Sequence, residues 1–406
     1  MLFWHCEDFR EVKDLYLSRE EERIYDGELG WAYEVSMKIL VKLGDLYGAK
    51  RLIPIESAHI SGVSYKTIGD APIEFLEALL EANGRVRVKT TMNPSGIDCE
   101  DPIFKYLPKE ITEKQKKIID IYEGLGVERS LTCTPYYIKA AQSGSHLSWA
   151  ESSAVIYANS ILKAWTNREG GPSALASALI GKTPDYGLHQ PENRRISAII
   201  KVEADLLSES DYGLLGIYLG KVLGDKIPLI RGRILGEELF LKQMGAAMAT
   251  SGMVPMFYFD DSEAMSQRTD EVISVDNRDI RRADEEISSF FEKPDLIFIG
   301  CPHCSLEEIK CVSNLLRGKK IRKDIRLWIC TSRFIRNKAA EYVRIIESSG
   351  GRVISDTCAV VTWLRELGIE TLMTNSAKTA YYVPLMSNVK AALSPMKKCI
   401  EIALQK

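Results

Sequence analysis

The chain lacks the features that would assign it at once to a nucleic-acid-binding, membrane or secreted class. It has no dense block of lysine and arginine, and its 53 basic and 56 acidic residues nearly cancel to a net charge of −3. It also has no apolar run of membrane-spanning length, and residues 1–8 carry acidic side chains where a signal peptide needs basic ones. We therefore expect a globular cytoplasmic protein that binds neither nucleic acid nor membrane.

The nine cysteines form no regular disulfide framework. An odd number at irregular spacings fits a reducing compartment, in which thiols are free to bind metal. The length of 406 residues exceeds what one hydrophobic core usually supports, and 45% of the residues are hydrophobic. These numbers predict two or three domains.

Three cysteines far apart in sequence lie in turn-like segments: Cys133, Cys301 and Cys358. Cys301 directly follows the apolar run 296–300, which is typical of a buried strand, and active residues of open α/β sheets gather beyond the carboxyl ends of strands. Three thiolates can hold an iron-sulfur cubane and leave its fourth iron open as a Lewis acid. The alternative is that these cysteines pack as small buried hydrophobes.

The segment Cys301-Pro302-His303-Cys304 has the spacing of a zinc or redox pair. No second pair of matching spacing accompanies it, so a closed zinc site is the weaker interpretation. We expect Cys301 to be a ligand and Cys304 to pack.

Helices and strands are predicted to alternate along most of the chain, which is typical of an α/β fold. From residue 294 onward the alternation indicates a doubly wound domain. The predicted helices are 20–47, 73–82, 111–125, 211–223, 306–316 and 337–348, and the predicted strands are 51–55, 85–90, 196–202, 295–299, 325–330, 353–354 and 371–373.

Four loops are richer in small polar residues than ordinary connections require. They combine carboxylate, imidazole, hydroxyl and ammonium groups, which suit acid–base chemistry and anion binding. The alternative is that they are polar surface loops and helix N-caps. The loops are residues 56–67, 90–96, 142–153 and 374–382.

Taken together, six segments resemble the large subunit of the aconitase X family. The resemblance runs from about Leu15 to the carboxyl terminus, and the segments that carry it are 58–66, 91–94, 131–136, 144–146, 300–305 and 375–378. It implies an aconitase-like α/β/α multi-domain core with doubly wound sheets around an iron-sulfur site, and a hydro-lyase reaction. By position, Cys133, Cys301 and Cys358 match the family's ligands of a [4Fe-4S] cluster.

The resemblance implies one of two activities. The archaeal branch dehydrates (R)-5-phosphomevalonate to trans-anhydromevalonate 5-phosphate in the mevalonate pathway, and a bacterial branch dehydrates cis-3-hydroxy-L-proline. The Lys/Glu/Ile-rich composition, and a chain that ends near Lys406 without a small swivelling domain, favour the archaeal activity. We then expect a small swivelling-domain subunit as partner, supplying a serine base. The third hypothesis is a non-catalytic metal-binding α/β protein.

We expect the polar loops to supply the site residues, and we expect the chain to divide into an extension and three domains. We expect an extension over residues 1–14 and domains over 15–150, 151–288 and 289–406. The predicted catalytic residues are His59, Lys66 and His146, and the predicted substrate-binding residues are Gly62, Val63, Thr91, Asn93, Ser95, Glu151, Ser152, Ser376 and Lys378.

Overall fold

Parallel β-sheets flanked by helices organise each of three consecutive units in the computed structural model, which describes residues 15–404. The extension expected over residues 1–14 lies outside the described residues. The alternation of strands and helices confirms the predicted α/β class. Among residues 15–404, no helix combines the length and the apolar composition that spanning a membrane requires.

The first unit contains a three-stranded parallel sheet and a separate antiparallel strand pair. In the sheet the order is β3-β2-β4, and the pair consists of β1 and β5. Its elements are α1 (Arg19–Tyr25), α2 (Trp31–Tyr47), β1 (Leu52–Pro54), β2 (Ser57–Ile60), α3 (Tyr65–Ile68), α4 (Ala71–Glu81), β3 (Lys89–Met92), α5 (Lys109–Gly124), β4 (Leu147–Trp149), α6 (Ser152–Ser160), α7 (Gly171–Ile180) and β5 (Lys182–Pro184).

The pairing of β1 with β5 extends this first unit beyond residue 150. Helix α7 also packs against β2 and α2, so it belongs to the same layer. The expected boundary at residue 150 therefore falls between β4 and α6, inside the unit. The sequence pattern did not indicate that α6 and α7 follow within the first unit, because both helices are buried nearly all round and show little amphipathic contrast.

The second unit is a four-stranded parallel sheet in the order β8-β7-β6-β9. Helices α8 and α9 pack closely against each other and cover the sheet with the core that includes Tyr212 and Phe257. Its elements are β6 (Ala198–Val202), α8 (Glu209–Leu223), β7 (Pro228–Gly232), α9 (Glu238–Ser251), β8 (Tyr258–Phe259), α10 (Ser262–Ser266), β9 (Val272–Val275) and α11 (Asn277–Ile287).

The third unit is a five-stranded parallel sheet in the order β12-β11-β10-β13-β14, which is a doubly wound order. Every residue of β10 is buried, because helices cover both faces of the sheet. Its elements are β10 (Leu296–Ile299), α12 (Leu306–Leu316), β11 (Arg326–Thr331), α13 (Arg333–Lys338), α14 (Ala340–Ser348), β12 (Arg352–Ser355), β13 (Thr371–Thr374), α15 (Ala377–Ser387), β14 (Lys390–Leu393) and α16 (Met396–Ala403).

Two predicted helices are each divided in the structure. The helix expected over residues 20–47 breaks between α1 and α2, where Gly27 and Gly30 adopt positive φ angles of 85° and 95°. The helix expected over residues 337–348 begins instead as α13 and restarts as α14 at Ala340. The strand expected over residues 85–90 starts only at Lys89.

The carboxyl ends of the sheets in the first and third units face each other. Beyond β3, the backbone N–H of Ser95 donates to the carbonyl of Asp356, just after β12, at 2.8 Å. Beyond β4, Glu151 contacts Lys378, which follows β13. Arg333 of the third unit adds an ion pair to Asp98 of the first unit across the same junction. Loops from both sheets therefore meet in one place.

Candidate active site

The strand order of the third unit creates a crevice beside β10. The chain leaves β10 toward β11 and β12 on one side, and later places β13 and β14 on the other. Ligands of doubly wound sheets bind at such a switch point, beyond the carboxyl ends of the strands. Cys301 follows β10, Cys358 follows β12, and Lys378 follows β13.

Cys133, Cys301 and Cys358 come together at this crevice. All three are buried, and each lies within electrostatic reach of at least one of the others. Burial, reinforced by the other two thiols and by Glu151, raises the pKa of Cys133 well above its ordinary value. Burial and the neighbouring Cys301 raise the pKa of Cys358 to about 12. Three neighbouring thiols can lose their protons together only when a cation lies among them.

Backbone hydrogen-bond donors lie beside two of the three sulfur atoms, those of Cys133 and Cys358. The backbone N–H of His303 donates to Sγ of Cys133 at 3.2 Å. Backbone N–H groups of Val360 and Val361 lower the pKa of Cys358, opposing its burial. Hydrogen bonds to thiolate sulfur are a usual feature of iron-sulfur sites.

Several buried polar atoms near the cysteines have no hydrogen-bond partner among residues 15–404. They are Oγ1 of Thr357, Oγ1 of Thr362 and Oδ1 of Asn375, close in sequence to Cys358 and to Lys378. Orphaned polar atoms in a protein interior need a partner in the working protein, such as a bound ligand, an ion or an ordered water. The thiols and these atoms together fit a polar ligand in the crevice.

The described chain holds no three His, Cys, Asp or Glu side chains arranged to bind a single metal ion. A cluster is a different case, because its three cysteines bind three different irons and are spaced more widely than the ligands of one ion. The donor set of three thiols suits iron and sulfide.

A buried ion pair lies next to the cysteines. The ammonium of Lys378 donates to Oε1 of Glu151 at 2.5 Å, and Nδ2 of Asn93 donates to Oε2 of Glu151 at 2.7 Å. Burial opposes the ionisation of Glu151, but Lys378, Asn93 and Ser153 together lower the pKa of its carboxyl to about 2. Burial likewise opposes the charge of Lys378, while Glu151 and the thiols raise the pKa of the ammonium. Both groups are ionised at neutral pH.

Glu151 ends a chain of hydrogen bonds that begins at Thr91. The His59 ring contacts Oγ1 of Thr91 through Nδ1 at 2.8 Å and Oδ1 of Asn93 through Nε2 at 2.9 Å. Because Oδ1 of an amide only accepts, Nε2 carries the hydrogen and Nδ1 accepts from Thr91. Burial lowers the pKa of His59 to about 4, so the ring is neutral. It is fully buried and both its nitrogens are occupied, which makes it a support for Asn93.

Lys66 contacts the loop that follows Cys358. Its half-buried ammonium donates to the carbonyl of Thr362 at 2.5 Å and to Oγ of Ser387 at 2.7 Å. It forms no ion pair with any carboxylate of the described chain, and burial lowers its pKa. An ammonium has three hydrogens, so one donor is left for a further oxygen atom.

The other predicted substrate-binding residues also lie on loops that leave the carboxyl ends of parallel strands. Gly62 and Val63 follow β2, where Gly62 has a positive φ of 78°. Ser95 follows β3, and its hydroxyl contacts the carbonyls of Ile97 and Asp356. Ser152 opens α6, and Ser376 caps α15 by accepting from the N–H of Thr379.

His146 lies elsewhere. It directly precedes β4, whereas Glu151 follows it, so the strand separates them by on the order of 15 Å. The His146 ring contacts His189 through Nδ1 at 3.0 Å and packs beside Trp165. The predicted catalytic role of His146 finds no support in this position, because the amino end of the sheet faces away from the cysteines.

Sequence reasoning missed Gln115, a buried residue that joins two loops of the site. Oε1 of Gln115 accepts from the N–H groups of Tyr65 and Gly96, and its Nε2 donates to the carbonyl of Val63. One buried side chain thus joins the loops that follow β2 and β3. The available signal was a glutamine on the apolar face of α5, beside Ile118 and Ile119.

Comparison with known proteins agrees with this architecture. The sequence matches the aconitase X first domain over residues 14–192, the second domain over 197–285 and the third domain over 294–405. The chain belongs to the aconitase X family. It is also similar to the crystal structure of Thermococcus kodakaraensis aconitase X in its holo-form, with a TM-score of 0.88, 42% identity, and coverage of 96% of this chain and 100% of that one. The predicted family and fold are confirmed.

The curated relatives separate into two groups. The phosphomevalonate dehydratase large subunit of Methanothermobacter thermautotrophicus is 47% identical over 94% of this chain and 96% of its own. The same-named protein of Methanosarcina mazei is 44% identical over 96% and 97%. The cis-3-hydroxy-L-proline dehydratase of Pseudomonas aeruginosa is 33% identical over 95% of this chain and 69% of its own.

Proposed function

We propose that this chain is the large subunit of a hydro-lyase that dehydrates (R)-5-phosphomevalonate to trans-anhydromevalonate 5-phosphate. The observation that carries the proposal is the convergence of three buried thiols and the Lys378–Glu151 pair at one crevice. The similarity to archaeal proteins of that name, at 44–47% identity over nearly their whole length, supports the choice of substrate.

Cys133, Cys301 and Cys358 would hold a [4Fe-4S] cluster, for which the thiols, the N–H donors and the orphaned polar atoms are suitable. When bound, a cluster with one open iron supplies a Lewis acid for the departing hydroxyl group. Because the thiols are protonated in the metal-free protein, loading releases their protons. The loops of residues 61–64, 93–96 and 151–152 then face the substrate from the opposite sheet.

Two ammonium groups are available for the anionic ends of the substrate. Lys378 has a carboxylate and a hydroxyl as partners, and Lys66 has a carbonyl and a hydroxyl, so each retains one hydrogen for a substrate oxygen. We propose that these two residues bind the carboxylate and the phosphate. Glu151 cannot serve as a proton donor, since its pKa of about 2 keeps it ionised. Its part is to fix the Lys378 ammonium.

Dehydration removes one proton and one hydroxide from neighbouring carbons, so a base must take the proton next to the carboxylate. His59 is unsuitable, because its ring is fully buried and both nitrogens are occupied. We propose that a serine of a small partner subunit serves as this base. The term "large subunit" in the names of the archaeal relatives supports a partner. Cytoplasmic location is part of the same proposal.

The test is an anaerobic assay of the chain co-purified with a candidate small subunit. The expected result is loss of water from (R)-5-phosphomevalonate and none from cis-3-hydroxy-L-proline. The Pseudomonas aeruginosa relative makes the second substrate the necessary comparison. Turnover of the proline derivative alone, or of neither substrate by an iron-loaded complex, would refute the proposal.

A variant pair sharpens the assay. Lys66→Met removes an ammonium that has no carboxylate partner in the described chain, so we expect KM for the phosphorylated substrate to rise by about 10- to 100-fold, as for a lost charged hydrogen bond. Lys323→Met removes an exposed ammonium in the loop before β11, at the other end of the sheet, and should leave both kcat and KM unchanged. Equal KM values in the two variants would exclude Lys66 from substrate binding.

A further inference from the structure

The imidazole of His303 is fully buried among the three cysteine loops. It belongs to the same loop as Cys301. Its two ring nitrogens reach residues that directly precede the other two cysteines, namely Thr132 before Cys133 and Thr357 before Cys358.

The hydrogen bonds of His303 specify its protonation. Nε2 lies 2.9 Å from the carbonyl oxygen of Thr357, and Nδ1 lies 3.1 Å from Oγ1 of Thr132. A carbonyl oxygen only accepts, so Nε2 carries the hydrogen, and Nδ1 accepts from the threonine hydroxyl. The ring is thus a neutral connector with one donor and one acceptor, both in use. In addition, the backbone N–H of His303 donates to Sγ of Cys133 at 3.2 Å.

The second unit supports the same loop from its other side. Nζ of Lys242, on α9, lies 3.5 Å from the carbonyl oxygen of His303. Lys242 also forms a fully buried ion pair with Glu308 in the first turn of α12. The carboxylate of Glu308 in turn accepts from the N–H of Ser305, at the start of that helix. The backbone of the His303 loop is therefore fixed on one side, and its ring joins the remaining two loops on the other.

We propose that His303 is a positioning residue that ties the three cysteine loops into one frame before iron is loaded. The inference rests on the proposed function, because the frame serves a cluster held by Cys133, Cys301 and Cys358. Side chains that orient metal ligands without touching the metal typically change metal retention by 10- to 100-fold when they are replaced. The three loops come from segments more than 50 residues apart, so neighbouring residues in sequence cannot fix their relative positions.

Three variants divide the contribution of the ring. His303→Leu removes both nitrogen contacts at similar volume, and Thr132→Val removes only the contact to Nδ1. His303→Gln keeps an N–H donor that can reach the carbonyl of Thr357. The matched control is His189→Leu, which removes another buried imidazole, one that contacts His146 outside the crevice.

Two readouts are measured on the full chain with its partner subunit. The first is the rate at which iron leaves the reconstituted protein for a chelator. The second is the rate at which a thiol reagent labels Cys133 in the metal-free protein, read by mass spectrometry of the peptide. The second readout needs no metal and no activity.

For His303→Leu we expect iron loss to accelerate about 10- to 100-fold, and labelling of Cys133 about five- to tenfold, the factor of one net hydrogen bond. Thr132→Val and His303→Gln should lie between this variant and the wild type, and His189→Leu should match the wild type.

Wild-type rates in a folded His303→Leu variant would overturn the inference. If that variant does not fold, Thr132→Val and His303→Gln decide, and wild-type rates in both would overturn it. A wild-type protein that takes up no iron would refute the proposed function, and the labelling of Cys133 would then decide the role of His303 alone.

Discussion

Removing Lys378 should destabilise the fold more than removing both members of its ion pair. The side chains of Lys378 and Glu151 are only 9% and 12% exposed, and the carboxylate also accepts from Asn93 and Ser153. In Lys378→Met the charge of Glu151 stays buried without its counter-charge. Breaking a buried pair in this way costs about 3–5 kcal/mol, whereas replacing both members by neutral side chains costs less.

The pKa of Glu151 gives a second estimate of how much the ion pair contributes to the free energy of unfolding. A value of about 2, against an ordinary 4.5, corresponds to about 3 kcal/mol at 1.36 kcal/mol for each pKa unit. In the wild type this stabilisation is present above pH 4.5 and is lost as the pH falls toward 2. In Lys378→Met burial is the dominant influence and raises the carboxyl pKa, so the sign reverses. That variant should lose stability as the pH rises above 4.5.

The assay is denaturant unfolding at pH 5 and pH 7.5 of the wild type, Lys378→Met, Glu151→Gln and the double variant. We expect the double variant to be more stable than Lys378→Met at pH 7.5, and the gap to narrow at pH 5. If the losses of unfolding free energy in the two single variants add up to that of the double variant at both pH values, the carboxylate and the ammonium are not coupled. That result would contradict the prediction.

Three further perturbations follow from contacts in the same region. Gly300→Ala should lower the free energy of unfolding by about 1–3 kcal/mol, since a β-carbon there would lie 2.2 Å from the carbonyl oxygen of Cys330 at a φ of +123°; an unchanged unfolding midpoint would contradict this. Arg333→Leu should cost about 3–5 kcal/mol by leaving buried Asp98 unpaired, measured by the same denaturation, with partial recovery in the double variant with Asp98→Asn. Burial raises the pKa of the Glu169 carboxyl, so the contribution of Glu169 to the free energy of unfolding falls as the pH rises above 4.5. Glu169→Gln should therefore make the free energy of unfolding less dependent on pH in that range. An identical pH dependence in the variant and the wild type would contradict this prediction.

The strand-following positions were predictable from the sequence. The run 296–300 is uniformly apolar, which identified β10 and placed Cys301 beyond its carboxyl end. The same logic applied to Asn93 and Lys378, which follow predicted strands, whereas Glu151 was assigned to the site because its segment closely follows Cys133 in the sequence. A uniformly apolar strand such as β10 can be recognised in the sequence, and the direction of the strand determines which loop faces the crevice.

His146 and His303 mark where this reasoning stops. His146 and Glu151 are close in sequence, but the three residues of β4 lie between them. His146 therefore lies at the amino end of the strand and not at the end where Glu151 lies. The role of His303 could not be predicted from the sequence, because its partners Thr132 and Thr357 are each more than 50 residues away. Contacts of this kind depend on how whole units pack, and side-chain patterns within one element carry no record of them.

The most direct test of the account is the iron and sulfide content of the anaerobically purified complex in four variants. Cys133→Ser, Cys301→Ser and Cys358→Ser each remove one thiol of the crevice, and Cys99→Ser removes an exposed one as the control. We predict that the wild type and Cys99→Ser carry iron and sulfide, and that each of the other three loses most of both. Full iron and sulfide in any of those three, or none in the wild type, would contradict the claim that these cysteines jointly hold a cluster.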